Sequence, residues 1–142
     1  MTPTENRELV RRTIEEWNSL DGDVRRIRTL FDKRYSPGFV YHDVCTGDTD
    51  LEQTVRDMIG YLSAFPDLNY SIDDLLADGD KTVARCTLRA THQGVFRGIP
   101  ATGNRIVVGQ VEIHRIAEGK IAEAWGFSDS QGMMKQLRIK GR

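Results

Sequence analysis

The chain predicts an α+β fold in which helices cover one face of an antiparallel sheet. Three observations predict it. Apolar residues recur at helical spacing as far as Phe65, the period then drops from about 3.6 to about 2, and the second half reads as a meander of strands. Helices first and strands second is a segregated order, which argues for α+β rather than alternating α/β units.

Each element has its own warrant. Thr2-Pro3-Thr4-Glu5 reads as a capping box, with Thr2 as N-cap, Pro3 in the first turn and Glu5 three residues on. Leu9, Val10, Ile14, Trp17 and Leu20 then share one face of a first helix, which ends near Asp21-Gly22. Arg11, Arg12, Glu15 and Glu16 fill the opposite face. A second short helix carries Val24, Ile27, Leu30 and Phe31 and is broken by Pro37-Gly38. Residues 39–43 form a short strand and 45–49 a loop. A third helix starts near Asp50, with Leu51, Val55, Met58, Ile59 and Leu62 in register. It stops at Phe65-Pro66-Asp67, because proline disfavours helix at the residue before it. Strands over residues 68–77 and 82–92 flank an Asp78-Gly79-Asp80 turn. Residues 93–104 form a glycine-punctuated loop, and Met133, Met134 and Leu137 mark a final helix.

Between them lies the stretch that organises the rest, two long strands around Glu118-Gly119. A two-residue turn there, with Gly119 supplying positive φ, pairs Ile116 with Ile121, His114 with Glu123, Glu112 with Trp125, Gln110 with Phe127 and Val108 with Asp129. One face then carries Val108, Gln110, Glu112, His114, Ile116, Ile121, Glu123, Trp125, Phe127 and Asp129. The other carries Val107, Gly109, Val111, Ile113, Arg115, Ala122, Ala124, Gly126 and Ser128. A face that mixes aromatics with ionisable groups resembles a ligand pocket more than a packed core. A bulge would flip part of this assignment.

Composition narrows the function classes. At 142 residues the chain has the size of a single domain, 1–142. Folding at that length buries roughly 68% of the unfolded surface. A net charge of −1 and a pI near 6.3 provide no electrostatic basis for binding nucleic acid or an anionic membrane. No apolar run approaches membrane-spanning length, and the polar opening Met1-Thr2-Pro3-Thr4-Glu5 does not read as a signal peptide. Two cysteines, Cys45 and Cys86, make neither a disulfide framework nor a metal quartet. The expectation is a reduced, cytoplasmic, soluble protein without a metal.

Four motifs carry a family resemblance: Phe65-Pro66-Asp67-Leu68; Gly79-Asp80-Lys81; Thr91-His92-Gln93-Gly94 continuing to Gly98-Ile99-Pro100-Ala101-Thr102-Gly103; and Gly119-Lys120-Ile121 followed by Trp125, Asp129 and Gln136-Leu137. With Trp17-Asn18 on the first helix, they resemble the SnoaL-like polyketide cyclases, also called ester cyclases, of the nuclear transport factor two-like superfamily. The resemblance implies one SnoaL-like domain built as a cone-shaped barrel. In it a curved, mostly antiparallel sheet has three N-terminal helices closing its concave face and a short C-terminal helix. It also implies cofactor-independent cyclase or isomerase chemistry, an intramolecular aldol closure on an aromatic polyketide-like carbonyl substrate in antibiotic biosynthesis. A homo-oligomer is implied too, and the small-residue face (Gly109, Ala122, Ala124, Gly126) is a surface on which another sheet could pack. Two alternatives stay open: a polyketide hydroxylase of the same fold, and a small-ligand-binding module without turnover.

The resemblance places the family's catalytic aspartate at Asp129. An aldol closure needs a base for the proton alpha to a carbonyl, an acid for the resulting alkoxide and donors for the enolate oxygen. One carboxylate can serve both proton steps in a dry site, which Trp125 and Phe127 would provide. The plainer role for Asp129 is to cap the final helix, as Ser128 or Ser130 equally could. Gln110, Glu112 and His114 share its predicted face. Glu112 needs a partner, from Arg85, Arg89 or a histidine, because a buried unpaired carboxylate is costly. His114 reads more simply as a cross-strand partner of Glu123 near the turn. His92 ends an apolar strand face and reads as a structural histidine with a possible ligand contact. Trp17, Met58, Phe65 and Tyr41 complete the candidate ligand contacts.

Overall fold

The computed structural model of the chain describes residues 1–138. Its elements are α1 (Pro3–Asn18), α2 (Arg25–Arg34), β1 (Tyr35–Asp43), β2 (Gly47–Asp50), α3 (Leu51–Ala64), β3 (Asn69–Asp78), β4 (Lys81–Thr91), β5 (Arg105–Ala117), β6 (Lys120–Ser128) and α4 (Ser130–Arg138). The α+β class and the helix-then-meander order are as the sequence predicts.

Local chemistry sets the helix ends. The Thr2 hydroxyl accepts from the Glu5 N–H at 3.1 Å and the Glu5 carboxylate accepts from the Thr2 N–H at 3.3 Å, the reciprocal pair of a capping box. Asp50 caps α3 by accepting from the Gln53 N–H at 2.8 Å. Helix α2 stops at Arg34, three residues before Pro37, so Pro37-Gly38 falls inside β1. The pairing of β1 with β6 slips between Tyr35 and Val40, and β2 pairs only with residues 40–43. Pro37 therefore sits where its missing N–H leaves no gap in a ladder. The expected loop at 45–49 includes part of β2 instead, a strand too short to show periodicity.

The six strands run in the order β2-β1-β6-β5-β4-β3. Every neighbouring pair is antiparallel except β1 and β6, which are parallel. The expected barrel does not close. Strands β2 and β3 are open edges, and β2, with four residues, covers only the last part of β1. Irregularities in the β1–β6, β3–β4 and β5–β6 pairings bend the sheet, as bulges do.

Two apolar clusters fill the concave side. One gathers Trp17, Ile27, Phe31, Phe65, Leu88, Met133 and Leu137 beneath the helices, and the other gathers Leu9, Val10, Phe39, Ala84, Ile116 and Ile121 near the β5–β6 turn. Burying a side chain such as Phe31 contributes about 2–3 kcal/mol.

The β5–β6 hairpin has the predicted two-residue turn, with Ala117 paired to Lys120 and positive φ at Glu118 (52°) and Gly119 (75°). One step later the expected register fails. Ile116 faces Ile121, but Arg115 faces Glu123, so Ala122 is an extra residue on β6. Beyond it the true pairs are His114 with Ala124, Ile113 with Trp125, Glu112 with Gly126, Val111 with Phe127 and Gln110 with Ser128. An inserted residue reverses side-chain parity in a strand of period about 2. Trp125 and Phe127 thus face outward, and Ala124, Gly126 and Ser128 face inward. The expected small-residue outer face is corrected in the same way: the convex side of β6 carries Glu123, Trp125 and Phe127.

Candidate active site

Strand β5 presents Val108, Gln110, Glu112 and His114 to the concave side, where they line a cavity of about 640 Å³. That volume suits a small organic ligand. Apolar wall comes from α1 (Val10, Trp17), α2 (Phe31), β1 (Phe39), α3 (Met58) and α4 (Met133). The exposed members of the lining, Thr46, Arg56, Asp57, Gly60, Val95, Arg97 and Ser128, mark its mouth.

Glu112 sits at the centre of the floor. Its cross-strand neighbours are Ala84 on β4 and Gly126 on β6, both small. Gly126 is required for a steric reason. A Cβ there would lie 1.7 Å from the Tyr41 hydroxyl oxygen, so the Tyr41 ring occupies the volume that any other residue would need. The Glu112 carboxylate lies 3.1 Å from His114 Nε2, and His114 Nδ1 lies 3.1 Å from the Thr82 hydroxyl. His114 and Thr82 are buried, and the three-residue chain ends on the half-buried carboxylate facing the cavity.

Three phenols and a thiol feel that carboxylate. Burial first, and the Glu112 charge second, push the Tyr41 hydroxyl well above its ordinary range. Burial and then Glu112 do the same at Tyr35, and Tyr70 is raised by burial with Tyr61 and Glu112 adding to it. The Cys86 thiol is raised to about 11 by burial and then by Glu112. These groups therefore stay protonated at neutral pH, available as hydrogen-bond donors and not as bases. Tyr35 accepts from the Trp17 Nε1–H at 3.2 Å, which leaves its own O–H free to donate. A base coupled to an imidazole, facing several neutral O–H donors in an apolar chamber, can remove a proton and stabilise the oxyanion that results.

Of the residues expected at the site, the structure brings Gln110, Glu112, His114, Trp17, Met58 and Tyr41 together in the cavity lining. It does not bring the others. Trp125 lies on the convex face, stacked on the His42 ring at 5.3 Å, and Phe127 is 45% exposed on that face, both for the register reason above. Phe65 is fully buried in the core against His92 and Phe96. His92 is fully buried behind it, with Nδ1 2.9 Å from the Thr102 hydroxyl and 3.3 Å from the Thr102 N–H. His114 faces Ala124, and Glu123 is engaged by His42 at 2.6 Å and Arg115 at 3.1 Å on the other side of the sheet. Asp129 falls one residue past the end of β6. Its N–H donates to the Gly109 carbonyl, and its side chain accepts from the Gly132 N–H at 2.9 Å as the cap of α4. It lies outside the lining, while its neighbours, exposed Ser128 and half-buried Ser130, line the cavity.

Sequence reasoning missed Tyr35, Tyr70, Cys86 and Thr82. Cys86 and Thr82 share the concave parity of β4 with Ala84, so the alternation of that strand carried the signal. Tyr35 had none, because it follows α2 directly. No group of three His, Cys, Asp or Glu among the described residues is placed to hold a metal ion. No described helix is long and apolar enough to cross a membrane.

Comparison with curated proteins finds no match. Among solved structures, the chain is similar to AclR, "a putative hydroxylase" from Streptomyces galilaeus, at 29% identity and a TM-score of 0.85, over 96% of this chain and 97% of that one. TsrD from Streptomyces laurentii is 29% identical, with a TM-score of 0.75, over 92% of this chain and 96% of the other. IdmH from Streptomyces antibioticus, "a putative polyketide cyclase", is 25% identical, with a TM-score of 0.76, over 98% of this chain and the whole of the other. The model of the SnoaL-like polyketide cyclase family matches residues 7–137, nearly the entire fold and every residue of the cavity floor, and the chain belongs to that family.

Proposed function

We propose that the protein is a cofactor-independent cyclase that closes a ring on an aromatic polyketide-like carbonyl substrate by intramolecular aldol chemistry. The observation that carries this reading is the Glu112–His114 pair beneath Tyr41 and Tyr70 in an apolar cavity. Glu112, backed by His114, takes the proton alpha to one carbonyl. Phenolic O–H groups hold the enolate oxygen. The enolate carbon then bonds to a second carbonyl of the same molecule, and the alkoxide regains the proton from the Glu112–His114 pair. The reaction is neutral in protons and electrons, so the pair ends as it began. Gln110, whose side-chain amide faces the cavity, orients the substrate, and Trp17 and Met58 pack on its flat face. Asp129, in this reading, acts through α4 by holding the segment that carries Ser128 and Ser130.

The test is turnover of a linear precursor by Glu112→Gln. The substitution keeps the shape and removes the base, so the rate should fall by about 10²–10⁴-fold with an unchanged circular dichroism spectrum. Full activity in this variant together with loss in Asp129→Asn would move the acid/base role to Asp129. The likeness to AclR favours a second reading, hydroxylation of a related polyketide. Oxygen consumed in proportion to product would establish it, and product formed without oxygen uptake would end it.

The family setting supports a place in antibiotic biosynthesis in the cytoplasm. For association, the convex face carries exposed Val107 and Phe127 beside Val111, Ile113 and Trp125, and in this reading a second copy covers it. Sedimentation as a monomer at micromolar concentration would refute that.

A further inference from the structure

The cavity carries charged groups at both its floor and its mouth. Its floor holds the Glu112 carboxylate among phenols that stay neutral, while its mouth holds two guanidiniums, Arg56 on α3 and Arg97 on the loop between β4 and β5. Asp43 and Asp57 also line the cavity, each hydrogen-bonded by neutral donors that leave its charge in place. Asp43 accepts from the Cys45 and Thr46 N–H groups at 2.7 and 3.0 Å, and Asp57 accepts from the Gln53 amide at 2.7 Å. Among the described residues Arg56 donates to the neutral Gln53 side-chain oxygen at 2.8 Å, and its charge also acts on Glu52. Arg97 has no ion pair among the described residues and lies over the Phe96 ring at 5.0 Å. Elsewhere Arg28, Arg85 and Arg115 are spent on Glu52, Asp74 and Glu123.

Arg97 is also held in place at a conformational cost. It has φ 48° and Gly98 has φ 78°, at the centre of a tight turn closed by reciprocal hydrogen bonds between Phe96 and Ile99 of 3.0 and 2.9 Å. Asn, Asp or Gly suits the first central position of such a turn, and a residue such as arginine costs about 1 kcal/mol there. The turn is anchored because the Phe96 ring is buried against Tyr61 and Phe65. An arginine fixed at a rim in a costly backbone conformation, with its donors unspent, is a recognition group for an anion.

Building on the catalytic reading above, we infer that the substrate carries an anionic group, a carboxylate or a phosphate ester, which stays at the mouth between Arg56 and Arg97 while the neutral carbonyl end goes to the floor. Glu112 repels an anion from the floor, so the same charges that bind the substrate also set its direction of entry. The anion belongs either to the substrate itself, as a free acid, or to a phosphate-bearing carrier arm to which the substrate is attached.

The experiment measures binding of an anthraquinone carboxylate and its neutral methyl ester to the full chain, by quenching of tryptophan fluorescence at low and high salt. The acid should bind about 10-fold more tightly than the ester at low salt, and that advantage should shrink as salt screens it. Arg56→Gln with Arg97→Asn should remove the advantage and leave ester binding unchanged. Equal binding of acid and ester to the parent protein overturns this inference alone. Binding of neither overturns the ligand cavity itself, and this inference with it. Competition by free phosphopantetheine against the acid supports the carrier arm as the source of the anion, whereas its absence supports the free acid.

Discussion

Two histidine–glutamate pairs lie on opposite faces of the same sheet, and they differ in everything but composition. On the concave face His114 is buried, bonded to Thr82 and Glu112, and its glutamate looks into an apolar chamber. On the convex face His42 is held between Asp48 at 2.8 Å and Glu123 at 2.6 Å, stacked on Trp125, with Arg115 on the far side of Glu123. The outer pair is charge-saturated: hydrogen bonds from His42 and then Arg115 hold the Glu123 carboxyl below its usual range, and hydrogen bonds to Glu123 and then Asp48 raise His42. A carboxylate so well satisfied is a poor base. The inner carboxylate has one imidazole partner and faces the cavity. Satisfaction of the charge, more than residue identity, separates a structural pair from a reactive one.

The comparison can be broken most sharply by matched substitutions. Glu112→Gln should cost the two to four decades of rate stated above, while Glu123→Gln should leave turnover within about twofold and lower only thermal stability. Comparable losses of rate in both would erase the distinction between the faces. Gly126→Ala is next in size. Its new Cβ would meet the Tyr41 hydroxyl oxygen, so the ring must leave its place, with destabilisation of about 1–3 kcal/mol by denaturant unfolding and weaker ligand binding. Unchanged binding would show that Tyr41 is not part of the site.

A smaller effect follows from pH. The His42 value is raised above its ordinary 6.5, so its contribution to stability is complete below that pH and is lost as pH rises through the raised value. The Glu123 value is lowered from 4.5, so its contribution is present above that pH and is lost as pH falls through the lowered value. The convex cluster therefore stabilises most between about 4.5 and 6.5. His42→Gln should flatten the decline of the melting temperature on the alkaline side, and an unaltered profile would contradict the assignment. The smallest expected change is Asp129→Ala. Loss of the α4 cap costs about 0.5–2 kcal/mol, and turnover per folded molecule should stay within a few-fold of the parent.

Much of the fold was legible in the residues themselves. The capping box at Thr2, the Asp50 start of α3, the stop at Phe65-Pro66 and the two-residue turn at Glu118-Gly119 are local signals, and local signals survive folding because their partners lie within four residues in sequence. Strand β2 was not legible, since a four-residue edge strand is defined by its partner. Half of the candidate site was legible too. Gln110, Glu112 and His114 alternate on one unbroken strand, so their common face needed no knowledge of the neighbours.

The other half turned on a single residue. In Ile121-Ala122-Glu123-Ala124-Trp125-Gly126-Phe127-Ser128, both parities contain apolar side chains, so alternation alone does not say which set faces inward. The extra residue at Ala122 decides it. Ala124 and Gly126 turn inward, Tyr41 takes the space over Gly126, and the cavity exists because Trp125 and Phe127 do not point into it. By itself the sequence determined the elements, the hairpin turn and the polar row on β5, because each depends on neighbours along the chain. Only the tertiary structure decided which carboxylate faces the cavity and which caps a helix, because a bulge and the packing of a distant ring depend on residues brought together by the sheet.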